Sequence, residues 1–186
     1  MTRYFALCFA TVLAVFELSS CANAKRQGEP LVFNVVIKFQ KHEPYCGGAY
    51  PDPGQENGWI SPMSNQQYAI FKAQNDTVKH SHKAKVLDIF TTNELGVIET
   101  KLPAGYYYAV MIDKTLPFEK FYEKYEILSD QYRQSAGRSC FEEWYETPEL
   151  RFQVLENGNN SFEKTFYSAC FTGLLRCVGW VGPYPP

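Results

Sequence analysis

The sequence predicts a mainly β protein, an antiparallel β-sandwich of about seven strands with one inserted α-helix. Three observations carry this. Runs rich in β-branched and aromatic residues recur from residue 31 onward, several with a two-residue apolar alternation. Turns rich in Gly, Pro and Asn separate them. One stretch alone, about residues 117–134, shifts to a helical period.

Ahead of the domain, Met1-Thr2-Arg3 make a short basic start, and Tyr4 to Phe16 form an apolar run too short to cross a bilayer as a helix. That pattern is an export signal. Two processing sites compete behind it. Leu18-Ser19-Ser20-Cys21 resembles the lipobox of bacterial lipoproteins, which implies a lipidated Cys21 as the mature N-terminus and a membrane-tethered partner surface. Ala22-Asn23-Ala24 fits ordinary cleavage before Lys25, and Glu17 beside the apolar run is unusual for either route. The expected layout is a signal peptide over 1–20 (to 24 by the ordinary route), a tether over 21–30, and a domain over 31–186.

Within the domain, Leu31–Phe39 reads as the first strand and Gln67–Lys72 as the second, with a Pro/Gly-rich loop or covering flap over 42–65 between them. Lys85–Thr91, Val97–Leu102 and Tyr106–Ile112 follow. The tight turns at Thr91–Gly96 and Pro103–Gly105 predict an antiparallel meander of these three strands. Phe118, Phe121, Tyr122, Tyr125, Leu128 and Tyr132 fall at helical spacing behind Pro117, and Gly137 marks a stop. Phe141–Tyr145 is expected to extend or turn. Glu149–Leu155 and Ser161–Cys170 complete the strands around a hairpin turn at Asn157–Asn160. The Pro-rich tail from Gly179 is expected to lie extended outside any ladder, anchored by Trp180 and Tyr184.

Net charge is −2, which argues against a nucleic-acid surface. The basic cluster Lys79-His80-Ser81-His82-Lys83-Ala84-Lys85 reads as a solvated loop. Six cysteines occur; Cys8 leaves with the signal and Cys21 is lipidated or lost. Cys46, Cys140, Cys170 and Cys177 remain, an even number in an exported chain, which points to two disulfides with three pairings open. The short spacing favours Cys170 with Cys177 and leaves Cys46 for Cys140. Chain entropy assigns about 2.5 kcal/mol to the short link and about 5 kcal/mol to the long one, as upper values.

Asn93 to Val110, with Gly96, Leu102, Pro103, Gly105 and Tyr107, resembles a signature of transthyretin-like β-sandwiches, the carboxypeptidase regulatory-like and collagen-adhesin B-type domains among them. The resemblance implies a spacer, adhesin or accessory module and carries no catalytic residues. Pro44–Pro51, Cys140–Pro148 and Gly182–Pro186 are similar to lipoproteins of the Bacteroidetes type, a group from which no activity carries over.

Three chemistries compete. His42 with Cys46, or His80 with His82, would suit copper or zinc in a periplasmic metal-binding protein, although no Cys-x-x-Cys or His-Glu-x-x-His spacing supports it. Cys46-Gly47-Gly48 would place a thiol nucleophile on a turn, with His42 or His80 as base. Glu142 and Glu143, adjacent on a strand, would face opposite ways and not share a substrate atom. The preferred reading is non-catalytic, with no cofactor. Aromatics are 16% of the chain, and Tyr45, Tyr50, Trp59, Trp144 and Tyr145 gather near the Pro/Gly-rich loop and Cys140, as a surface for a glycan or an envelope protein.

Overall fold

Alternate residues of the first strand, Val35, Ile37 and Phe39, are apolar and buried, and the other strands assemble around that face. The computed structural model describes residues 30–47, 54, 57–126 and 132–183. Cys21, both processing sites, Tyr50 and Tyr184 lie outside them. Strand β1 spans Val32–Glu43. β5 (Val97–Pro103) and β2 (Trp59–Pro62) pair antiparallel with its successive halves, Val32–Lys38 and Gln40–Glu43. β9 (Ser161–Tyr167) pairs parallel with Val36–His42. Residues that pair with β9 also pair with β5 or β2, so β9 takes the opposite edge of β1. The facing sheet has the order β4 (Val86–Thr91), β3 (Gln67–Ala73), β6 (Gly105–Met111), β8 (Leu150–Val154), antiparallel throughout.

The two sheets form a β-sandwich. Val35, Ile37, Phe39, Ile98 and Leu102 of one meet Tyr68, Ile70, Tyr107, Ala109, Phe152 and Val154 of the other. Phe39 stacks on Tyr68 with ring centroids 3.9 Å apart. Each such fully buried side chain stabilises the fold by roughly 1.5–3 kcal/mol.

The predicted meander is corrected. β4 and β6 lie in one sheet and β5 in the other, so both turns are arches that cross the sandwich. An arch and a hairpin use the same turn residues; they differ in which neighbour the next strand finds. Here local clamps fix the arches. Asn93 Oδ1 accepts the Leu95 and Val97 amides at 2.9 and 3.0 Å. Gly96 sits at φ +74°, where a Cβ would lie 2.3 Å from the Phe39 carbonyl oxygen, so only glycine fits. The Tyr107 hydroxyl donates to the Pro103 carbonyl at 2.8 Å. Asn157–Asn160 is likewise an arch, because β8 and β9 belong to opposed sheets. The Asn160 amide bridges it, accepting from Leu155 N at 2.9 Å and donating to Leu155 O at 3.0 Å.

The second sheet is buried on its outer face too. Ala69, Phe71, Tyr108 and Val110 pack there, with Val86 of β4 and with Val78 and Ala84 of the segment between β3 and β4. The basic loop is therefore solvated only in part: Lys79, Ser81, His82, Lys83 and Lys85 are exposed, but His80 is 3% exposed against the rings of Phe71 and Tyr108.

Beside the sandwich lies a helical cap. A 3-10 turn (Ile112–Thr115) leads to α1 (Phe118–Glu126), which falls within the predicted helix; Leu128 lies outside the described residues. Arg133–Ser135 is instead a strand, β7. A second helix, α2 (Arg138–Glu146), occupies the stretch expected to extend or turn, and so carries Glu142 and Glu143. Its Phe141, Trp144 and Tyr145 sit at i, i+3, i+4 and meet Phe121, Cys177 and Val178. The tail does form a ladder: β10 (Val178–Trp180) pairs with β7 before the prolines begin. Trp180 anchors it against Phe171 and Tyr132.

The disulfides are Cys46–Cys170 and Cys140–Cys177, which corrects the expected pairing. Strand register gives the reason. β1 and β9 run parallel with His42 opposite Tyr167, so Cys46 and Cys170 leave the same end of the sheet side by side. The Ala136 amide donates to the Cys177 carbonyl at 2.8 Å, which brings Cys177 to the first turn of α2 and Cys140.

Candidate functional site

A cleft of about 540 Å³ opens at one side of the sandwich. It lies where the sandwich gapes between β8, the edge of one sheet, and β9, the edge of the other. Its walls are two runs of chain, Thr147–Arg151 and Lys164–Tyr167, completed by Met111, Trp144, Leu174 and Arg176. That size lies within the usual range for ligand clefts.

Phe162, Lys164 and Phe166 alternate along β9 on the side facing the other sheet. Lys164 thus sits half-buried between two core rings, with Nζ 5.9 Å from the Phe166 centroid. Arg176 is exposed at the rim. Neither has an acidic partner among the described residues. Arg151 donates from Nε to the Val78 carbonyl at 3.1 Å. Glu149 is the one acid in the lining, and it is already taken: its Oε1 lies 2.5 Å from Lys114 Nζ, both side chains being buried. Lys114 also donates to the Thr147 carbonyl at 2.6 Å, and Glu149 Oε2 accepts the Met111 amide at 3.0 Å. Burial pushes the Glu149 carboxyl up and the Lys114 ammonium down from their ordinary ranges, and their mutual attraction opposes both shifts. The lining therefore presents three cations and one compensated acid in a chain whose net charge is −2.

Of the five aromatics predicted as one ligand surface, the four that are described are separated. Trp59 is 48% exposed and donates from Nε1 to Glu43 at 3.1 Å. With Pro44, Cys46 and Phe171 it lines a smaller hollow of about 250 Å³ beside the Cys46–Cys170 bridge. Tyr45 is half-buried at that same end. Trp144 and Tyr145 are instead in the cap interior, because the segment is helical and turns them inward. Tyr145 donates its hydroxyl to the Leu116 carbonyl at 2.6 Å, and only an edge of Trp144 reaches the cleft.

The competing chemistries are also placed. Cys46 is a disulfide sulfur, neither a thiol nucleophile nor a thiolate ligand, and His42 Nε2 lies 2.8 Å from the Asn57 carbonyl. His80 is buried, its Nε2 donating to the Lys114 carbonyl at 2.7 Å, while His82 faces solvent. Among the described residues no three His, Cys, Asp or Glu side chains gather as metal ligands. Also among them, no helix is long and apolar enough to cross a membrane.

Lys164, Arg176, Arg151, Lys114 and Glu149 were not legible as a site. One signal was present: a lysine between two inward aromatics of a strand, at the position where an apolar residue belongs.

No protein-family model matches this chain, and no curated protein matches it. Among solved structures it is similar to a variant of the shaft pilin SpaA of Lactobacillus rhamnosus GG, with a TM-score of 0.37 and 13% identity over 73% of this chain and 51% of the pilin. The N-terminal domain of the same pilin gives 0.33 and 12%, over 73% of this chain and 92% of that domain. The Bacillus anthracis TIE protein gives 0.30 and 15%, over 70% and 16%. The chain spans about half the length of the first of these pilin structures.

Proposed function

We propose that this chain is an exported module of the cell envelope that acts by binding or structural support, without catalysis, and is held at the membrane by a lipid on Cys21. The observation that carries the binding reading is the cleft between β8 and β9. It combines an apolar floor with cations that no acid of the described chain neutralises, a composition that selects a ligand and holds no free acid–base pair to transform one. Two disulfides that close long loops fit an oxidising destination. The lipobox-like Leu18-Ser19-Ser20-Cys21 supports the tether, and the resemblance to transthyretin-like accessory domains supports the class.

Site-specific photocrosslinking in intact cells tests the binding reading. A crosslinker at Tyr167, 76% exposed at the mouth of the cleft, should give a discrete adduct. One at Leu87, on an edge strand of the facing sheet, should not. Equal labelling at both positions, or none at either, removes the cleft as the binding surface. Palmitate incorporation should disappear in Cys21→Ala; label that persists removes the tether.

A further inference from the structure

We infer that this cleft is a strand-acceptor groove, which takes an extended acidic segment of a partner protein as an added strand on β9; the inference rests on the binding reading above. Three independent features lead to it. The first is shape. The walls are consecutive residues, Lys164–Tyr167 on one side and Thr147–Arg151 on the other, so the opening follows two backbone edges and is not a hole among side-chain tips.

The second is the hydrogen-bonding parity of β9. The Val36 amide donates to the Asn160 carbonyl and the Ser168 amide to the His42 carbonyl, each at 2.9 Å. In a parallel ladder one strand's bonding residues alternate, so Phe162, Lys164 and Phe166 spend their amides and carbonyls on β1, with the Asn160 carbonyl and the Ser168 amide at the two ends. Those of Ser161, Glu163, Thr165 and Tyr167 point the other way, along an edge that pairs with no strand among the described residues. An open edge of this length is a template for a further strand.

The third is charge. A strand lying along β9 would send alternate side chains between the sheets, toward Met111, Leu150, Phe166 and Leu174. At that place the groove offers Lys164 and Arg176, both without an acid partner among the described residues. Their opposite is an acidic side chain among apolar ones. An inward-pointing lysine also serves to keep unwanted strands off an edge; that role predicts that no peptide binds.

Fluorescent nine-residue peptides of alternating threonine and valine, with one or two central glutamates, and their glutamine twins probe the groove of the intact mature protein by anisotropy. Oligogalacturonate serves as a polyanion without a peptide backbone. The glutamate peptides should bind at least tenfold more tightly than the glutamine twins, and Lys164→Gln or Arg176→Gln should remove that margin. Thr165→Pro deletes an amide that faces the free edge, a position at which an edge strand tolerates proline. It should abolish peptide binding with thermal unfolding still cooperative. Thr165→Val, which removes only the hydroxyl that accepts from Gln40, should bind normally. Equal binding of both peptide series, or binding that survives Thr165→Pro and is competed by oligogalacturonate, overturns the inference. No peptide binding alongside a Tyr167 adduct in cells overturns it while leaving the binding reading standing; absence of both overturns both.

Discussion

The sandwich body and the helical cap beside it solve the same problem with different means. In the body, Val35, Ile37, Phe39, Tyr68, Ile70 and Tyr107 interdigitate between two sheets whose backbone groups pair over long registers. In the cap, two helices of nine residues each, too short to be stable alone, share an aromatic cluster of Phe118, Phe121, Tyr122, Tyr125, Phe141, Trp144 and Tyr145. Their seat is polar and directional. Lys114 reaches Glu149 and the Thr147 carbonyl, His80 holds the Lys114 carbonyl, and Tyr125 donates to Asp113 at 2.7 Å. Each region also has its own disulfide, Cys46–Cys170 for the body and Cys140–Cys177 for the cap. The body relies on area removed from water; the cap relies on a few contacts that fail singly.

The disulfides give the largest expected effects. Replacing Cys46 and Cys170 by Ser frees a loop of 124 residues, and chain entropy sets the loss at about 5 kcal/mol at most. The same change at Cys140 and Cys177 frees 37 residues, at most about 4 kcal/mol. Urea midpoints should fall in that order. Hydrogen exchange separates the regions further: losing the cap bridge should raise exchange at Phe121 and Tyr145 before it does so at Val35 and Ile37. Uniform acceleration would show the two regions to be one cooperative unit.

Next is the buried ion pair. Glu149→Leu strands the Lys114 ammonium in the interior, and removing one partner of such a pair costs roughly 3–5 kcal/mol. Adding Lys114→Met should recover most of the loss, because two apolar side chains of similar volume need no compensation. A double variant as unstable as the single one would mean that the Lys114 bond to Thr147 O, and not the ion pair, seats the cap.

How much of this was legible follows the same division. Strand positions in the body were readable, since the β-branched and aromatic content of Leu31–Phe39 and Gln67–Lys72 is a local property of the chain. Sheet membership was not. Gly96 and Pro103-Ala104-Gly105 report that the chain turns, and the choice between hairpin and arch depends on β1, which is distant in sequence. The disulfide pairing failed for the same reason, because the parallel register of β1 and β9 overrides proximity along the chain. In the cap, the i, i+3, i+4 spacing of Phe141, Trp144 and Tyr145 was present in the sequence, but one helical turn of apolar residues cannot be told from a short strand. Lys164 was visible only as a charge in a strand; its place between the sheets is a consequence of β9 joining β1.

The smallest expected effect separates the two regions by pH. His80 sits under the cap, 3% exposed, with its ring 5.5 Å from that of Tyr145 and its Nδ1 without a partner among the described residues. Burial lowers its pKa below the ordinary 6.5, helped by the positive Lys114 and opposed by the hydrogen bond to the Lys114 carbonyl. Above pH 6.5 the ring is neutral in both the folded and the unfolded chain, and its contribution is fully present. As pH falls below that value the unfolded chain takes up a proton that the folded protein resists, so stability declines, by about 1.4 kcal/mol for each unit of depression, until the folded ring also protonates. His80→Phe keeps the ring contacts with Phe71 and Tyr145, forfeits one hydrogen bond worth about 1 kcal/mol, and removes the titration. Its stability should therefore start lower at neutral pH and fall less steeply between about pH 6.5 and pH 5. The difference between the two slopes isolates His80 from the carboxylates that titrate in both proteins. Identical slopes would mean that the cap yields to acid through the Lys114–Glu149 pair instead, and the Lys114→Met, Glu149→Leu protein would then be the one with the flattened profile.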